Sequence, residues 1–356
     1  MTIRNQRGAA EMMPQNYDDV WQDLKGNLEL IRETEGLDGV LRALERHHQD
    51  NGFIRDRVEG IARFKFHHPQ HPERFLRVQF NPRRALRRNG SGIKTPPSGI
   101  RVLNDGCFLC RENIAWQQQG AELGYELDLG GQRCIAWMNP FPLLPTHVVL
   151  ASAAHITQEW GYHDEGGQDV RGILRMLAAM SAQLPGYVGF YNGVGAGASI
   201  PGHLHFHFSR RPEDDPRFPL ESAADDLVAG TTEPGRVRDY PLDIAVWRGT
   251  GDSLADGVSS WLADWAERNR SRLSGLSANF IVTTDPVTRV TSLYFAPRRR
   301  NHVSNGVMSG MIGGLEVLGE FVYTVIDEKA HLENGAVDYF SLENILNEIH
   351  TPLNAG

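Results

Sequence analysis

Residues 195–211 of this 356-residue chain read GAGASIPGHLHFHFSRR, with histidines at 203, 205 and 207 behind a run of small residues. In an extended strand successive side chains alternate faces, which puts His203, His205 and His207 on one face and Leu204, Phe206 and Phe208 on the other. Positions two apart on a strand are separated by about 6.5–7 Å, so three imidazoles in a row do not easily converge on one tetrahedral ion. A row in which each histidine has its own role is the more natural reading. The preceding NGVGAGAS (192–199) offers backbone N–H groups unobstructed by side chains, the ingredients of an anion cradle. A neutral imidazole is a competent nucleophile toward phosphorus near pH 7, so the stretch predicts a covalent phosphorus-transfer site. Two other readings stay open on these residues. H-x-H could ligate the catalytic metal of an oxygenase, which would need a further histidine or a carboxylate nearby. The loop could also serve a nucleotide-binding module without turnover.

Cys107 and Cys110 form C-F-L-C, and Cys134 makes the cysteine count odd, which does not suit a disulfide framework. The pair reads as metal or redox. A redox pair needs a thioredoxin-like βαβ setting, and the hairpin pattern after Cys110 does not supply one, so metal is preferred. Cys134 lies in an apolar run and reads as core.

These residues sit in a chain of net charge −8 and pI near 6.0. That balance argues against a nucleic-acid partner and toward a small ligand. No stretch reads as a signal peptide or a membrane span; Val307–Ile326, the most apolar, is broken by Glu316 and Glu320. A cytoplasmic protein, monomeric or homodimeric, is expected.

The elements that must hold the histidines follow from periodicity. Asp18–Asn51 predicts two helices broken near Gly36–Gly39, followed by a strand at 75–80. Residues 82–99, PRRALRRNGSGIKTPPSG, predict a solvated mobile linker or lid. YELDLGGQRCIAWMN (125–139) predicts a hairpin about Gly130-Gly131, and 146–152 a third strand. Gln168–Leu184 predicts an amphipathic helix, with strands at YVGFYNG and HLHFHFS flanking the glycine loop. The later half repeats the theme with a helix at Leu254–Arg272 and strands at 279–284 and 291–297. The order predicts an α+β protein with antiparallel sheets and flanking helices in two related halves. The expected division is 1–100, a helical extension with a basic linker; 101–235, a catalytic half; and 236–356, a second half. Arg298–Arg300 follow the last strand and read equally as a phosphate grip or a solvated turn. The glycines of 308–320 could admit substrate or relieve tight packing.

CFLC, NPFPLLPTHVVLASAAHI, YNGVGAGASIPGHLHFHF and, more weakly, NFIVTTDPVTRVTSLYFAPRRRNH together resemble the histidine-triad (HIT-like) superfamily. The likeness is to the branch of galactose-1-phosphate uridylyltransferase, diadenosine tetraphosphate phosphorylases and GDP- and ADP-sugar phosphorylases, and within it to a bacterial subgroup sharing NPFP, YNG and GAS. It runs from about Cys107 onward. The resemblance implies a nucleotidyl-transferring phosphorylase or hydrolase acting on a nucleotide-sugar or dinucleoside polyphosphate, with phosphate or water as acceptor. It implies that His205 is the nucleophile that carries the nucleotide, with His207 and His147 beside the phosphate. Asn139, Asn192, Gly197, Ser199 and Arg298 would contact ribose or phosphate. It further implies a structural zinc held by Cys107, Cys110, His155 and His203. SIPGH is one residue longer than the transferase form, and His207 stands where uridylyltransferases carry Gln.

Overall fold

The computed structural model describes residues 17–353 apart from 56, 57, 59, 60, 90, 91 and 162–167. The ends of the expected extension and second half, 1–16 and 354–356, lie outside them. The centre is a nine-stranded antiparallel sheet. Its strands run in the order Gly235–Val237, Ile244–Gly249, Thr291–Arg299, Leu276–Thr284, Tyr187–Asn192, His205–Arg210, Val148–Ser152, Gln132–Met138 and Tyr125–Leu129. Every predicted strand of the two halves is in this one sheet, and the seam between halves is the pairing of Leu276–Thr284 with Tyr187–Asn192. Gly130 and Gly131 turn the predicted hairpin with φ of +62° and +84°, a backbone that glycine adopts without a Cβ penalty.

Alternation along the strands divides the core in two. Phe206 and Phe208 pack with the helices Val170–Gln183 and Gly251–Arg268. On the opposite face Val188, Phe190 and Ile281 pack with the C-terminal segments, and His207 stacks on Phe190 at 5.1 Å. The histidines therefore face the second layer. The histidine strand begins at His205, two residues later than expected, and His203 stands just ahead of it with Nδ1 toward Cys107 and Cys110. The Leu204 carbonyl still accepts from the Ser152 N–H in the continued register, but the Leu204 N–H turns to Ile156 O, and Ser152 O takes the His203 ring N–H in its place.

Residues 17–50 form the predicted helices, broken at Gly36 with φ +68°. Leu37, Val40, Leu41 and Leu44 join the main core, while a hairpin of Arg63–His68 and His71–Phe80 adds Glu320–Tyr323 in parallel. Arg77 and Glu320, both fully buried, pair at 3.0 Å across that junction. The basic stretch 82–99 is tethered to the protein at two points. Pro82–Asn89 is a 3-10 helix, Arg84 is buried with Nη1 donating to Phe141 O, and the Ile93 N–H donates to Gln117 O at 2.7 Å. Backbone acceptors in the neighbouring loop and helix hold the segment at these two points, while Pro82, Arg83, Leu86, Lys94 and Thr95 stay exposed. Among the described residues no helix is long and apolar enough to cross a membrane.

His48 ties the second N-terminal helix to the segment that leads into strand Tyr125–Leu129. It is fully buried; its Nδ1–H donates to Leu44 O at 2.9 Å, and its Nε2 accepts from the Leu123 N–H at 3.0 Å. Burial, reinforced by His47, pulls its pKa down to about 3. The unfolded chain therefore takes up a proton that the folded one refuses, and stability falls as pH drops from about 6.5 toward 3. The melting temperature should decline across that range. His48→Gln, which keeps polar atoms but binds no proton, should give a shallower decline by thermal melting at a series of pH values.

Candidate active site and metal centre

Three imidazoles lie together, and backbone groups at His147 and His205, with His147 itself at His207, decide which nitrogen of each carries the proton. The Leu143 N–H donates to His147 Nδ1 at 3.1 Å, so a neutral His147 holds its proton on Nε2. That nitrogen is 3.1 Å from His207 Nδ1, which must accept, leaving the His207 proton on Nε2. His205 has the opposite arrangement. Its Nδ1–H donates to His203 O at 2.7 Å, and its Nε2, buried and without a hydrogen-bond partner, keeps a lone pair. The His205 and His207 rings meet edge to face at 5.4 Å. The site thus pairs an unpartnered imidazole nitrogen with a neighbouring N–H donor. Burial depresses the pKa of both His205, to about 4, and His147, well below the usual histidine range, with the Arg84 guanidinium adding to the effect at His147. Both are neutral at physiological pH.

His147 hangs on the loop 139–147, which the N-terminal residues hold in place. Thr146 has φ +47°, a strained conformation for a β-branched residue, and its N–H and Oγ1 are held by Glu45 at 3.1 and 2.8 Å. Asn81 Nδ2 donates to Pro142 O at 3.0 Å. Asn139, half-buried, accepts from the Phe141 N–H through Oδ1 at 2.9 Å and donates its own N–H to His147 O. The first hundred residues are in this sense part of the site.

The glycine loop is clasped by the second half. A Cβ on Gly195 would stand 2.5 Å from Arg300 Cγ, and one on Gly197 2.7 Å from Gly313 Cα; both have positive φ, so only glycine fits. Asn192 Oδ1 accepts from Asn279 Nδ2 at 2.8 Å and the Gly314 N–H at 2.9 Å, which leaves its amide N–H groups to point elsewhere. Arg298 Nη1 donates to Asn279 Oδ1 at 3.3 Å and Ile312 O at 2.6 Å. Arg298 is fully buried behind Asn279, so it reaches the site through Asn279 and Asn192 and is no solvated turn. Ser199 ends the loop exposed. The glycines of 308–320 include close-packing positions: a Cβ on Gly314 would meet Phe190 at 2.7 Å. Sequence reasoning missed Asn279, Gln158, Glu45 and the burial of Arg84. Of these only Asn279 carried a signal, as a polar residue inside the apolar run NFIVTT.

Cys107, Cys110, His155 and His203 present ligand atoms all within 4.8 Å of one another. His203 Nδ1 is 3.3 Å from Cys107 Sγ and 3.7 Å from Cys110 Sγ, and His155 Nδ1 is 3.4 Å from Cys110 Sγ. Zinc bonds of ordinary length at tetrahedral angles put S and N about 3.5 Å apart, so the four donors fit. His203 Nε2–H donates to Ser152 O at 2.8 Å, which turns the Nδ1 lone pair toward the sulfurs. Burial pushes the Cys110 thiol up to about 11, against the pull of the Asn104 amide; a cation is what would hold it as thiolate. The cluster can hold a metal ion. Among the described residues it is the one such group, and neither His205 nor His207 belongs to it. The H-x-H oxygenase reading therefore lacks the convergent ligands it requires.

A family model described as a domain of unknown function, DUF4922, matches residues 43–210. No curated protein matches. Among solved structures, yeast Ap4A phosphorylase Apa2 in complex with AMP is similar over 88% of this chain and 97% of its own, at 16% identity and a TM-score of 0.58. The same yeast enzyme in complex with Ap4A is similar over 86% and 98%, at 16% identity and 0.56. A GalT-like protein from Arabidopsis thaliana aligns over 81% and 99%, at 16% identity and 0.36. The yeast likeness shows the fold. It is α+β and HIT-like, with antiparallel strands and flanking helices, as the sequence predicts.

We expect the purified protein to carry about one zinc per chain, measured by inductively coupled plasma mass spectrometry. The Cys107→Ser, Cys110→Ser double variant should lose it and melt at lower temperature, since a structural site contributes its binding energy to folding.

Proposed function

We propose that this protein is an enzyme, a nucleotidyl-transferring phosphorylase or hydrolase that acts on a dinucleoside polyphosphate or nucleotide-sugar through a nucleotidyl-His205 intermediate. One observation carries the reading: a neutral, buried His205 whose Nδ1–H is spent on a backbone carbonyl and whose Nε2 is left with its lone pair, on the strand that follows the glycine loop. The fold it shares with an Ap4A phosphorylase, solved with AMP and with Ap4A, supports the substrate class. The yeast protein's length is almost fully covered.

In this mechanism His205 Nε2 attacks the α-phosphorus. A P–N bond forms, the P–O bond to the departing phosphate breaks, and its electron pair leaves on that oxygen. The His207 Nε2–H donates to a phosphate oxygen as charge develops, held in that role by His147. Asn139, Asn192, Gly197 and Ser199 contact ribose and phosphate, while Arg298 fixes Asn192 through Asn279. Inorganic phosphate or water then attacks the same phosphorus, the P–N bond breaks, and its electron pair returns to imidazole. Zinc in the four-residue cluster would supply a structural tie to the start of the histidine strand.

Incubation with Ap4A and with nucleotide-sugars, acid quench and intact mass spectrometry should reveal one nucleoside monophosphate on the chain. His205→Ala should abolish the adduct and lower turnover by at least a thousandfold, about 4 kcal/mol. An adduct that persists in His205→Ala would overturn the assignment. His207→Gln, whose amide also donates, should keep adduct formation within about tenfold and suppress hydrolysis more than phosphorolysis, read from the ratio of products with and without phosphate.

A further inference from the structure

The ladder between Tyr187–Asn192 and His205–Arg210 stops at the pair Phe190 and His207. Continued by the same register, the next hydrogen-bonded pair would be Asn192 with His205, the phosphate-loop asparagine with the nucleophile. The side-chain amide of Gln158 takes the place of that pair. Gln158 Oε1 accepts from the His205 N–H at 2.7 Å, and its Nε2 donates to His205 O at 3.0 Å and to Asn192 O at 2.8 Å. Both N–H donors of the amide and its oxygen are engaged. Gln158 is itself fully buried, its N–H donates to Pro201 O at 3.0 Å, and Tyr191 Oη donates to its carbonyl. It lies outside any strand, three residues after His155 of the metal cluster.

We infer that Gln158 is the positioning residue of the site: its amide stands in for the missing backbone pair and sets the depth and direction of His205 relative to the loop that begins at Asn192. The physical need is plain. The strands must part to admit a phosphate between loop and nucleophile, and parting would leave the N–H and C=O of His205 buried and unpaired. Gln158 satisfies both while keeping the gap open. Its second donor fixes the near end of the glycine loop to the same amide, so the nucleophile and the cradle keep one spacing. Because the His205 backbone is held, the His203 O that takes the His205 Nδ1–H is held too, and with it the lone pair on Nε2.

The consequence for activity rests on the nucleotidyl-histidine reading above, whereas the consequence for the His205 ring does not. The test uses the full-length, zinc-loaded protein, Gln158→Leu and Gln158→Glu. In this buried position the introduced carboxyl would be protonated, keeping the acceptor and one donor. With 15N-histidine labelling, and His205→Ala to assign its signals, the parent should show His205 in the Nδ1–H form. Gln158→Leu should shift it toward a mixture of both forms at unchanged zinc content. In single-turnover reactions with Ap4A, Gln158→Leu should slow adduct formation by about a hundredfold, with the Ap4A concentration for half-maximal rate changed less than threefold. Gln158→Glu should fall between. A His205 ring signal and adduct rate within twofold of the parent in Gln158→Leu would overturn the inference. So would a slower rate accompanied by matching loss of zinc, which would mark a general structural role. If the parent forms no adduct, the reading of function fails, and the ring signals alone still decide the role of Gln158.

Discussion

The site depends on where the protons of its imidazoles sit, and the backbone puts them there. A neutral imidazole has one donor and one acceptor nitrogen, and in water the two forms interchange freely. Here each ring meets a backbone group with only one possible polarity: a Leu143 N–H against His147, a His203 carbonyl against His205 and a Ser152 carbonyl against His203. Three adjacent histidines thereby become chemically different. One presents a lone pair toward the sulfurs, one a lone pair into the site, and one, through His147, an N–H. Burial keeps His147 and His205 neutral, so the distribution holds across ordinary pH.

That arrangement requires the backbone groups themselves to be immobile, which explains how much of the chain is recruited to hold a few loops. The loop 139–147 is tied by Glu45 from the N-terminal helices, by Asn81 and by Arg84 of the basic segment. The cost of the left-handed Thr146 is of order 1 kcal/mol or more, and the two bonds from Glu45 oppose it. The glycine loop is held from the other side by residues 300–301 and 312–314. The halves share one sheet, and the second half contributes to the site by packing and hydrogen bonding around Asn192 rather than by a second set of histidines.

Arg298 illustrates the same economy of contact. Buried among Asn279, Ile312 and the end of its strand, it keeps its charge near neutral pH although burial lowers its pKa to about 10. Its bond to Asn279 orients an amide that orients the next, so a cation remote from solvent fixes the direction of Asn192.

The sequence by itself determined the fold class, the strands on either side of the histidines and the helices over 17–50, 170–183 and 251–268, but not the central-sheet strand Ile244–Gly249 or the C-terminal helix Tyr339–Ile349. These rest on local signals: alternation in HLHFHF, paired glycines in a hairpin and apolar spacing over 170–183; thiols three positions apart marked half of the metal cluster, and His155 and His203 entered only through the family resemblance. It also marked His205 as one of a row. It did not determine that the strand starts at His205 rather than His203, because the Leu204 N–H pairs with Ile156 O, distant in sequence. Nor did it distinguish Arg84 from its neighbours in PRRALRR, or Gln158 from any surface glutamine. A long polar side chain has no periodicity of its own, and its role is set by the groups that folding leaves unpaired around it. Only the tertiary structure brings Gln158 between two parting strands and a backbone N–H against His147, and so only there do similar residues acquire different chemistry.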